Sequence, residues 1–226
     1  MARSRLSIGT LGEDALLLRF GDTIDAPTNA RVHAVARCIA AQRPPWLCDI
    51  VPAYATLALF IDLAAFPATA DPLDAATRWL RTQTLDGDDD GAEARVVEIP
   101  VQYGGADGPD LEAVAAHAGL SPDDVIRRHA AIDYTVAMLG FAPGFPYLLG
   151  LDRVLAMPRL QTPRTRVAAG SVGIGGMQTG IYPRPGPGGW RIIGRAEAEL
   201  FDPMRDPPSL LLPGDRVRFL PAGTPS

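Results

Sequence analysis

Arginine is concentrated in one segment of the chain, Leu139 to Arg195. The segment contains one acid, Asp152, against seven arginines, so its local charge is 7 − 1 = +6 in a chain whose formal net charge is −5. A guanidinium can donate two parallel hydrogen bonds to a carboxylate or a phosphate. We therefore expect this segment to bind an anionic group, with the donors drawn from Arg153, Arg159, Arg164, Arg166, Arg184, Arg191 and Arg195.

The same segment is rich in glycine and proline. Together they supply 19 of the 56 residues from Leu139 to Gly194. Glycines allow a backbone to approach a ligand and to present N–H groups to an anion. They also serve turns and tight corners, and arginine stems often lie over apolar surface, so both interpretations stay open.

Groups that could perform catalysis are scarce. Ser171 lies between Gly170 and Val172 without the spacing of a nucleophile elbow, and no histidine follows His129. We interpret His33 and His117 as structural or surface residues, and His129 as a cation at a helix end. The chain contains no lysine, which excludes a Schiff-base lysine and a Walker A lysine.

The two cysteines, Cys38 and Cys48, have no zinc-site spacing, and we predict no metal site. The chain therefore offers binding groups without a visible nucleophile or acid–base set. Such a chain either completes a site with a partner or acts as a binding module.

Bulk composition narrows the class of protein. The 226 residues are 47% hydrophobic and 21% charged, which is ordinary for one large or two small globular domains. The negative net charge gives no indication of nucleic acid or anionic membrane as a partner. The N-terminal apolar run from Ala15 to Leu18 is too short for a signal peptide, so we expect a soluble, cytoplasmic protein with reduced cysteines.

Alternating strands and helices are predicted for residues 1–92. Helix-capping residues and apolar spacing predict the order strand, helix, strand, strand, helix, which is typical of a small α/β sandwich. The acidic and glycine segment Asp86–Gly91 is predicted to be a linker. The predicted elements are a strand at Asp14–Phe20, a helix from an N-cap at Thr28 to about Gln42, strands at Trp46–Val51 and Thr56–Ile61, and a helix from an N-cap at Asp71 to about Leu85.

Residues 93–226 are predicted to form a second domain, which makes the fold class α+β. After two short helices, Leu111–Ala118 capped by Asp110 and one from Ser121 to about Ala130, the helical pattern disappears. Short apolar pieces separated by Gly and Pro then indicate a β-barrel, and their aromatic content argues against disorder. The predicted strands are Val96–Val101, Thr135–Phe141, Val167–Val172, Arg191–Ile193, Leu210–Leu212 and Arg216–Leu220.

Serial motifs across nearly the whole chain resemble one family. MLGFAPGFPYL, PRLQTPRTRVAAGSVGI, QTGIYP, GGWRIIGR and LLPGDRVRF follow one another, preceded by GEDALLLRFGD and VPAYATLALF. In this order they resemble the family of B-type subunits of 5-oxoprolinase. That family is also called allophanate hydrolase subunit 1, and it is related to the carboxyltransferase region of urea carboxylase.

The resemblance implies an α/β N-terminal domain followed by a cyclophilin-like β-barrel. It also implies a heteromeric complex with an A-type and a C-type partner, which opens 5-oxo-L-proline to L-glutamate with hydrolysis of ATP, together with Mg. By itself, the chain is expected to be inactive. Two alternatives come with the family: a non-enzymatic inhibitor of a sensor histidine kinase, and a subunit of an allophanate or urea amidolyase.

The family motif also implies pocket residues, although it assigns no catalytic residue. Arg164 and Arg195 are expected to hold a carboxylate or a phosphorylated intermediate, and Ser171, Gln178 and Thr179 to hydrogen-bond an amide. The sequence departs from the family at Arg166, where lysine is common, at Met177, where asparagine is common, and in Gly186–Gly189. The full predicted set is Arg164, Arg166, Ser171, Gln178, Thr179, Tyr182 and Arg195, walled by Phe141, Phe145, Tyr147 and Trp190.

Overall fold

A computed structural model describes residues 6–83 and 94–222. The chain divides into two compact units, Met1–Glu93 and Ala94–Ser226. The predicted linker Asp86–Gly91 lies outside the described residues.

The first unit is a four-stranded antiparallel sheet with two helices. The elements are β1 Ser7–Leu11, β2 Ala15–Arg19, α1 Ala26–Gln42, β3 Leu47–Pro52, β4 Thr56–Ile61 and α2 Pro72–Thr82. The strand order is β1-β2-β4-β3, and apolar residues alternate along the strands so that one set is buried, as in Leu57, Leu59 and Ile61 of β4. Val32, Val35 and Ile39 of α1 pack into the same core.

Two details of this unit differ from the sequence prediction. Helix α1 begins one turn earlier than predicted, because the carboxylate of Asp25, and not Thr28, is the cap: Asp25 accepts the N–H of Thr28. Strand β1 was not predicted, since most of its residues are exposed and it has no regular apolar alternation. The prediction of Asp71 as the cap of α2 is confirmed.

The second unit contains a closed barrel of seven strands, so the barrel prediction is confirmed. The barrel strands are β5 Val96–Tyr103, β6 Asp133–Leu139, β7 Pro146–Leu149, β9 Ser171–Gly175, β10 Gln178–Ile181, β12 Arg191–Ala196 and β13 Arg216–Pro221. Their order around the barrel is β10-β7-β6-β13-β5-β12-β9, and β13 runs parallel to β5 while the other neighbouring strands are antiparallel.

Two helices and a separate ribbon accompany the barrel. The helices are α3 Leu111–Ala118 and α4 Pro122–Ala130, where the hydroxyl of Ser121 accepts the N–H of Asp124 as the predicted cap. The ribbon consists of β8 Arg164–Val167 paired with β11 Gly186–Gly188. None of the described helices combines the length and the apolar character that a membrane crossing requires.

Three predictions for the second unit differ in detail from the structure. The predicted strand Val167–Val172 is two strands, because Gly170 turns the chain with φ +77° between β8 and β9. Leu210–Leu212 is not a strand, although Leu211 is buried in the core. Asp110 occupies the predicted N-cap position of α3, but its side chain makes no capping hydrogen bond, because the carboxylate bonds to other elements.

A different cluster of buried residues packs on each side of the barrel wall. Val172 and Ile174 of β9 and Ile181 of β10 belong to the core inside the barrel. Side chains alternate along a strand, so Gly173, Gly175 and Gly180 lie on the outer side. A second buried cluster covers that outer side, formed by Phe145, Val167, Tyr182, Trp190 and Ile192.

Candidate functional site

Five aromatic side chains lie together on the outer side of the barrel. The ring centroids of the contacting pairs are 4.9 to 6.2 Å apart, and these pairs meet edge to face. This geometry is the favourable one for aromatic rings, since the edge of one ring is positive and the face of the next is negative. The structure therefore brings together one predicted pocket residue and all four predicted wall residues: Tyr182 with Phe141, Phe145, Tyr147 and Trp190.

Glycines form the floor beneath these rings. A Cβ at Gly175 would lie 2.5 Å from Nε1 of Trp190, and one at Gly180 would lie 3.1 Å from Cζ3 of the same ring. A Cβ at Gly188 would collide with the hydroxyl of Tyr182. These three glycines thus serve the close packing of aromatic side chains, where the sequence prediction had assigned glycines to a ligand or to turns.

An open pocket of about 370 Å³ lies at the edge of the aromatic cluster. We call it the outer pocket; it is lined by Phe141, Ala142, Tyr182 and residues 183–187. Burial raises the pKa of Tyr182 above its ordinary value, against smaller opposite effects of a backbone hydrogen bond with Trp190 and of the charges of Arg159 and Arg164. The phenol therefore stays protonated at neutral pH and is able to donate a hydrogen bond.

Arg184 is the cation of the outer pocket. It is exposed on the loop between two prolines, and among residues 6–83 and 94–222 it has no ion-pair partner. Arg159 lies nearby, with its guanidinium carbon 5.7 Å from the centroid of Trp190, a cation–π contact. Arg184 was counted in the arginine-rich segment, but the family motif did not select it as a pocket residue.

Phe141 occupies an unusual backbone conformation at the rim of the outer pocket. Its φ is +65°, a region that residues with a Cβ rarely adopt, and its side chain is 64% exposed. Such strain costs about 1 to 2 kcal/mol and is concentrated at functional sites. The fold thus holds an exposed aromatic ring in place at an energetic cost.

Substitutions at Phe141 distinguish the effect of backbone strain from the effect of the aromatic ring. We expect Phe141→Gly to be about 1 kcal/mol more stable than Phe141→Ala, because both variants lose the ring contacts with Phe145 and Tyr182 and only glycine relieves the strain. Activity of the assembled complex should fall if the ring is used in binding. Chemical denaturation of both variants checks the first outcome, and a Phe141→Gly protein no more stable than Phe141→Ala would contradict the account of strain.

Arg164 has a structural partner. Its two terminal nitrogens donate to the two carboxylate oxygens of Asp110, at 2.8 and 2.9 Å. Asp110 also accepts the backbone N–H of Ile192 at 2.6 Å, so its carboxylate joins the start of α3, strand β8 and strand β12. Arg164 therefore anchors the β8–β11 ribbon, and its predicted role of holding a substrate carboxylate stays a prediction.

The remaining predicted pocket residues do not line the outer pocket. Arg195 is half exposed and forms an ion pair with Asp107 at 2.6 Å, while Arg166 is exposed on β8. Ser171 is buried at the start of β9, opposite Arg195, and Gln178 is partly buried on β10. Their placement leaves the binding of a ligand by these residues a prediction.

Thr179 lies inside the barrel wall, away from the outer pocket, and bonds to His129. Nε2 of His129 lies 3.0 Å from the Thr179 hydroxyl, and that hydroxyl donates to the carbonyl of Gly173 at 3.0 Å. Nδ1 of His129 lies 2.8 Å from the hydroxyl of Tyr103. The prediction that His129 is a cation at a helix end is therefore wrong, because its ring is fully buried.

The network defines the protonation of His129. The Thr179 hydroxyl gives its one proton to Gly173, so it accepts the proton of Nε2. Nδ1 is then bare and accepts the proton of Tyr103. Burial lowers the pKa of His129 to about 3, so the imidazole is neutral at physiological pH.

Acid should destabilise the second unit through His129. The folded-state pKa lies below the ordinary value of 6.5, so the unfolded chain binds the proton first as the pH falls below that value. Stability is fully present above pH 6.5 and is lost on the way down to about pH 3. Between about pH 7 and pH 5 we expect a loss of about 2 kcal/mol.

Urea denaturation at several pH values measures this loss. The His129→Gln variant, which has no group that titrates at this position, should lack most of the slope between about pH 7 and pH 5. The exposed His117 provides a matched control, since His117→Gln should keep the slope. An equal slope in all three proteins would rule out His129 as its source.

Comparison with known proteins identifies the family. Residues 6–211 match the family model for the carboxyltransferase domain, subdomain C and D. The chain therefore belongs to this carboxyltransferase-domain family. It is 42% identical to the B-type subunit of 5-oxoprolinase from Bacillus subtilis over 222 residues, which cover 96% of this chain and 92% of the relative.

Solved structures show the same fold. The crystal structure of TTHA0988 is 42% identical and superposes with a TM-score of 0.78 over 93% of this chain. The chain spans 40% of the TTHA0988 chain. The urea amidolyase of Kluyveromyces lactis, at 19% identity and a TM-score of 0.74, covers 96% of this chain with 15% of its own and shares the fold.

Proposed function

We propose that this chain is the B-type subunit of a cytoplasmic, heteromeric 5-oxoprolinase, which opens 5-oxo-L-proline to L-glutamate with hydrolysis of ATP. The observation that carries the proposal is the 42% identity to the Bacillus subtilis 5-oxoprolinase chain over almost the full length of both chains. The proposed partners are homologues of the A-type and C-type chains of that enzyme.

The proposed task of this chain is to bind and position an anionic group. The outer pocket combines the exposed cation of Arg184 with the protonated phenol of Tyr182 and the ring of Phe141. A guanidinium and a phenol are suitable donors to the carboxylate of 5-oxoproline, and the aromatic rings are suitable for its flat lactam ring. The buried His129 is committed to its hydrogen bonds inside the barrel wall, and we assign it no proton-transfer role.

The described residues of this chain show no arrangement typical of a nucleotide site with its metal. No lysine is present for a phosphate loop, and the described residues contain no group of three or more His, Cys, Asp or Glu side chains that could hold a metal ion. We propose that ATP and Mg bind to the partner chains, and we derive no step through them in this chain.

Reconstitution tests the proposal. The chain is combined with the A-type and C-type homologues, and formation of L-glutamate from 5-oxoproline is measured with and without ATP. We expect activity that requires all three chains, and no activity from this chain alone. Full activity of the two partners without this chain would refute the proposal.

A second candidate function is inhibition of a sensor histidine kinase. The observation in its favour is the open, apolar character of the outer pocket, with the exposed ring of Phe141 at the rim. An autophosphorylation assay distinguishes the two functions. Inhibition by the wild-type chain that Phe141→Ala abolishes would support the regulator, and absence of inhibition at micromolar excess would eliminate it.

A further inference from the structure

A second concave site lies in the barrel unit, apart from the outer pocket. It is a groove of about 610 Å³, which we call the α4 groove. Ile126, Pro221 and the ring of Tyr103 are its larger apolar lining residues, and Gln102, Asp123 and Arg127 are its polar ones. No residue of the α4 groove belongs to the outer pocket. A groove with apolar walls and a few polar groups is the usual form of a small-molecule site.

Helix α4 packs one face against the barrel and lines the groove with another. Val125 and His129, four residues apart, are fully buried against the barrel. Asp123, Ile126 and Arg127 share another face, spaced by three and four residues, and line the groove. The capping bond at Ser121 fixes the start of the helix, so the positions of Asp123 and Arg127 are defined by a rigid element.

The two charged residues that line the groove differ in their ion pairing. Arg127 donates through Nη2 to Asp124, and Asp124 also accepts the hydroxyl of Ser121. Asp123 has no hydrogen bond or ion pair with any residue in 6–83 or 94–222. The groove therefore presents one uncompensated carboxylate, beside a guanidinium that retains further N–H donors.

We propose that the α4 groove binds a small zwitterion of the free amino-acid class. Asp123 receives the ammonium group, because it is the unpaired anion of the groove. The remaining N–H donors of Arg127 receive the carboxylate, and Gln102 bonds to a polar side chain or carboxylate. The apolar part of the ligand lies against Ile126, Pro221 and Tyr103.

Tyr103 connects this groove to the barrel wall. Tyr103 lines the groove, and its hydroxyl bonds to His129, which in turn bonds to Thr179 of β10. The ring is thereby held in one orientation, and the floor of the groove is preorganised for a ligand. The proposal rests on this geometry and is independent of the proposed 5-oxoprolinase function.

Titration monitored by NMR tests the proposal on the full chain. The probes are L-glutamine and L-leucine, and N-acetyl-L-glutamine is the control that lacks the ammonium. We expect shifts confined to amides of α4 and the ends of β5 and β13 with at least one of the two amino acids. Asp123→Asn should weaken that binding at least tenfold, and the N-acetyl compound should not bind there.

Two further variants separate a ligand site from general effects. Glu112→Gln removes an exposed first-turn acid of α3 and should leave the affinity unchanged, as should Arg184→Ala in the outer pocket. Absence of shifts in the groove with both amino acids at about 20 mM, about a hundred times a typical KM, would overturn the proposal. Equal binding by wild type and Asp123→Asn would overturn it as well.

Discussion

Replacing Arg164 with alanine should lower the free energy of unfolding of the barrel unit by about 3 kcal/mol. The substitution leaves the carboxylate of Asp110, which is 6% exposed as a residue, without the two hydrogen bonds that compensate its burial. Removing one partner of a buried ion pair costs more than the pair contributes, because the remaining charge is poorly solvated. Arg164→Lys should recover part of the loss, since an ammonium cannot reproduce the bidentate geometry.

Hydrogen exchange measures this loss of stability at individual strands. The N–H of Ile192 donates to Asp110, so exchange of β12 amides should accelerate by about a hundredfold in Arg164→Ala. Arg166→Ala is the matched control, two residues along the same strand and exposed, and should change exchange by less than about threefold. Equal effects of the two variants would show that the contact with Asp110 does not stabilise the barrel.

The second large effect is expected for Gly175→Ala, which should lower the free energy of unfolding of the barrel unit by about 2 to 3 kcal/mol. A methyl group at this position would lie 2.5 to 2.7 Å from three atoms of the Trp190 indole, and glycine is the residue that avoids this collision. The ring must move, and it contacts Phe145 and Tyr147, so the outer pocket is disturbed as well. Activity of the reconstituted complex should fall more than tenfold.

Gly186 supplies the control for this substitution. A Cβ at Gly186 meets no atom within 4 Å, and the residue also lines the outer pocket. Gly186→Ala should therefore change stability by less than about 0.5 kcal/mol. A stable, fully active Gly175→Ala protein would contradict the account of the glycine floor.

Local signals allowed much of the fold to be predicted. The caps at Asp71 and Ser121 and the strand Thr56–Ile61 depend on residues within one turn or one strand, so a single sequence contains their evidence. The wrong prediction of Thr28 as the cap of α1 also concerns residues close in sequence. Asp25 is an equally good cap three residues earlier, and spacing alone did not distinguish the two.

Long-range pairing could not be predicted in the same way. The carboxylate of Asp110 meets Arg164 and Ile192, which are 54 and 82 residues away, and His129 meets Thr179 across 50 residues. Nothing in the sequence specifies these partners. From the sequence, Asp110 was therefore interpreted as a helix cap and His129 as a cation at a helix end.

A further signal for the site is present in the sequence. In the run Val172–Gly175, a β-branched residue and a glycine alternate with period two. This pattern fits a strand with one apolar face in the core and one face without side chains, against which large rings can pack. The same alternation on β10 places Thr179 on the interior side with Ile181, which separates Thr179 from the outer pocket.

We propose that the outer pocket binds the anionic group of the substrate in the assembled enzyme. The most direct measurement is the dependence of L-glutamate formation on 5-oxoproline concentration, for reconstituted complexes that contain the wild-type chain or Arg184→Gln. Arg184 is exposed and forms no ion pair within residues 6–83 and 94–222, so we expect the substitution to leave the fold intact. We predict that Arg184→Gln raises the KM for 5-oxoproline about tenfold, since a charge-assisted hydrogen bond contributes about 1.5 kcal/mol. Identical kinetics in the two complexes would contradict the claim.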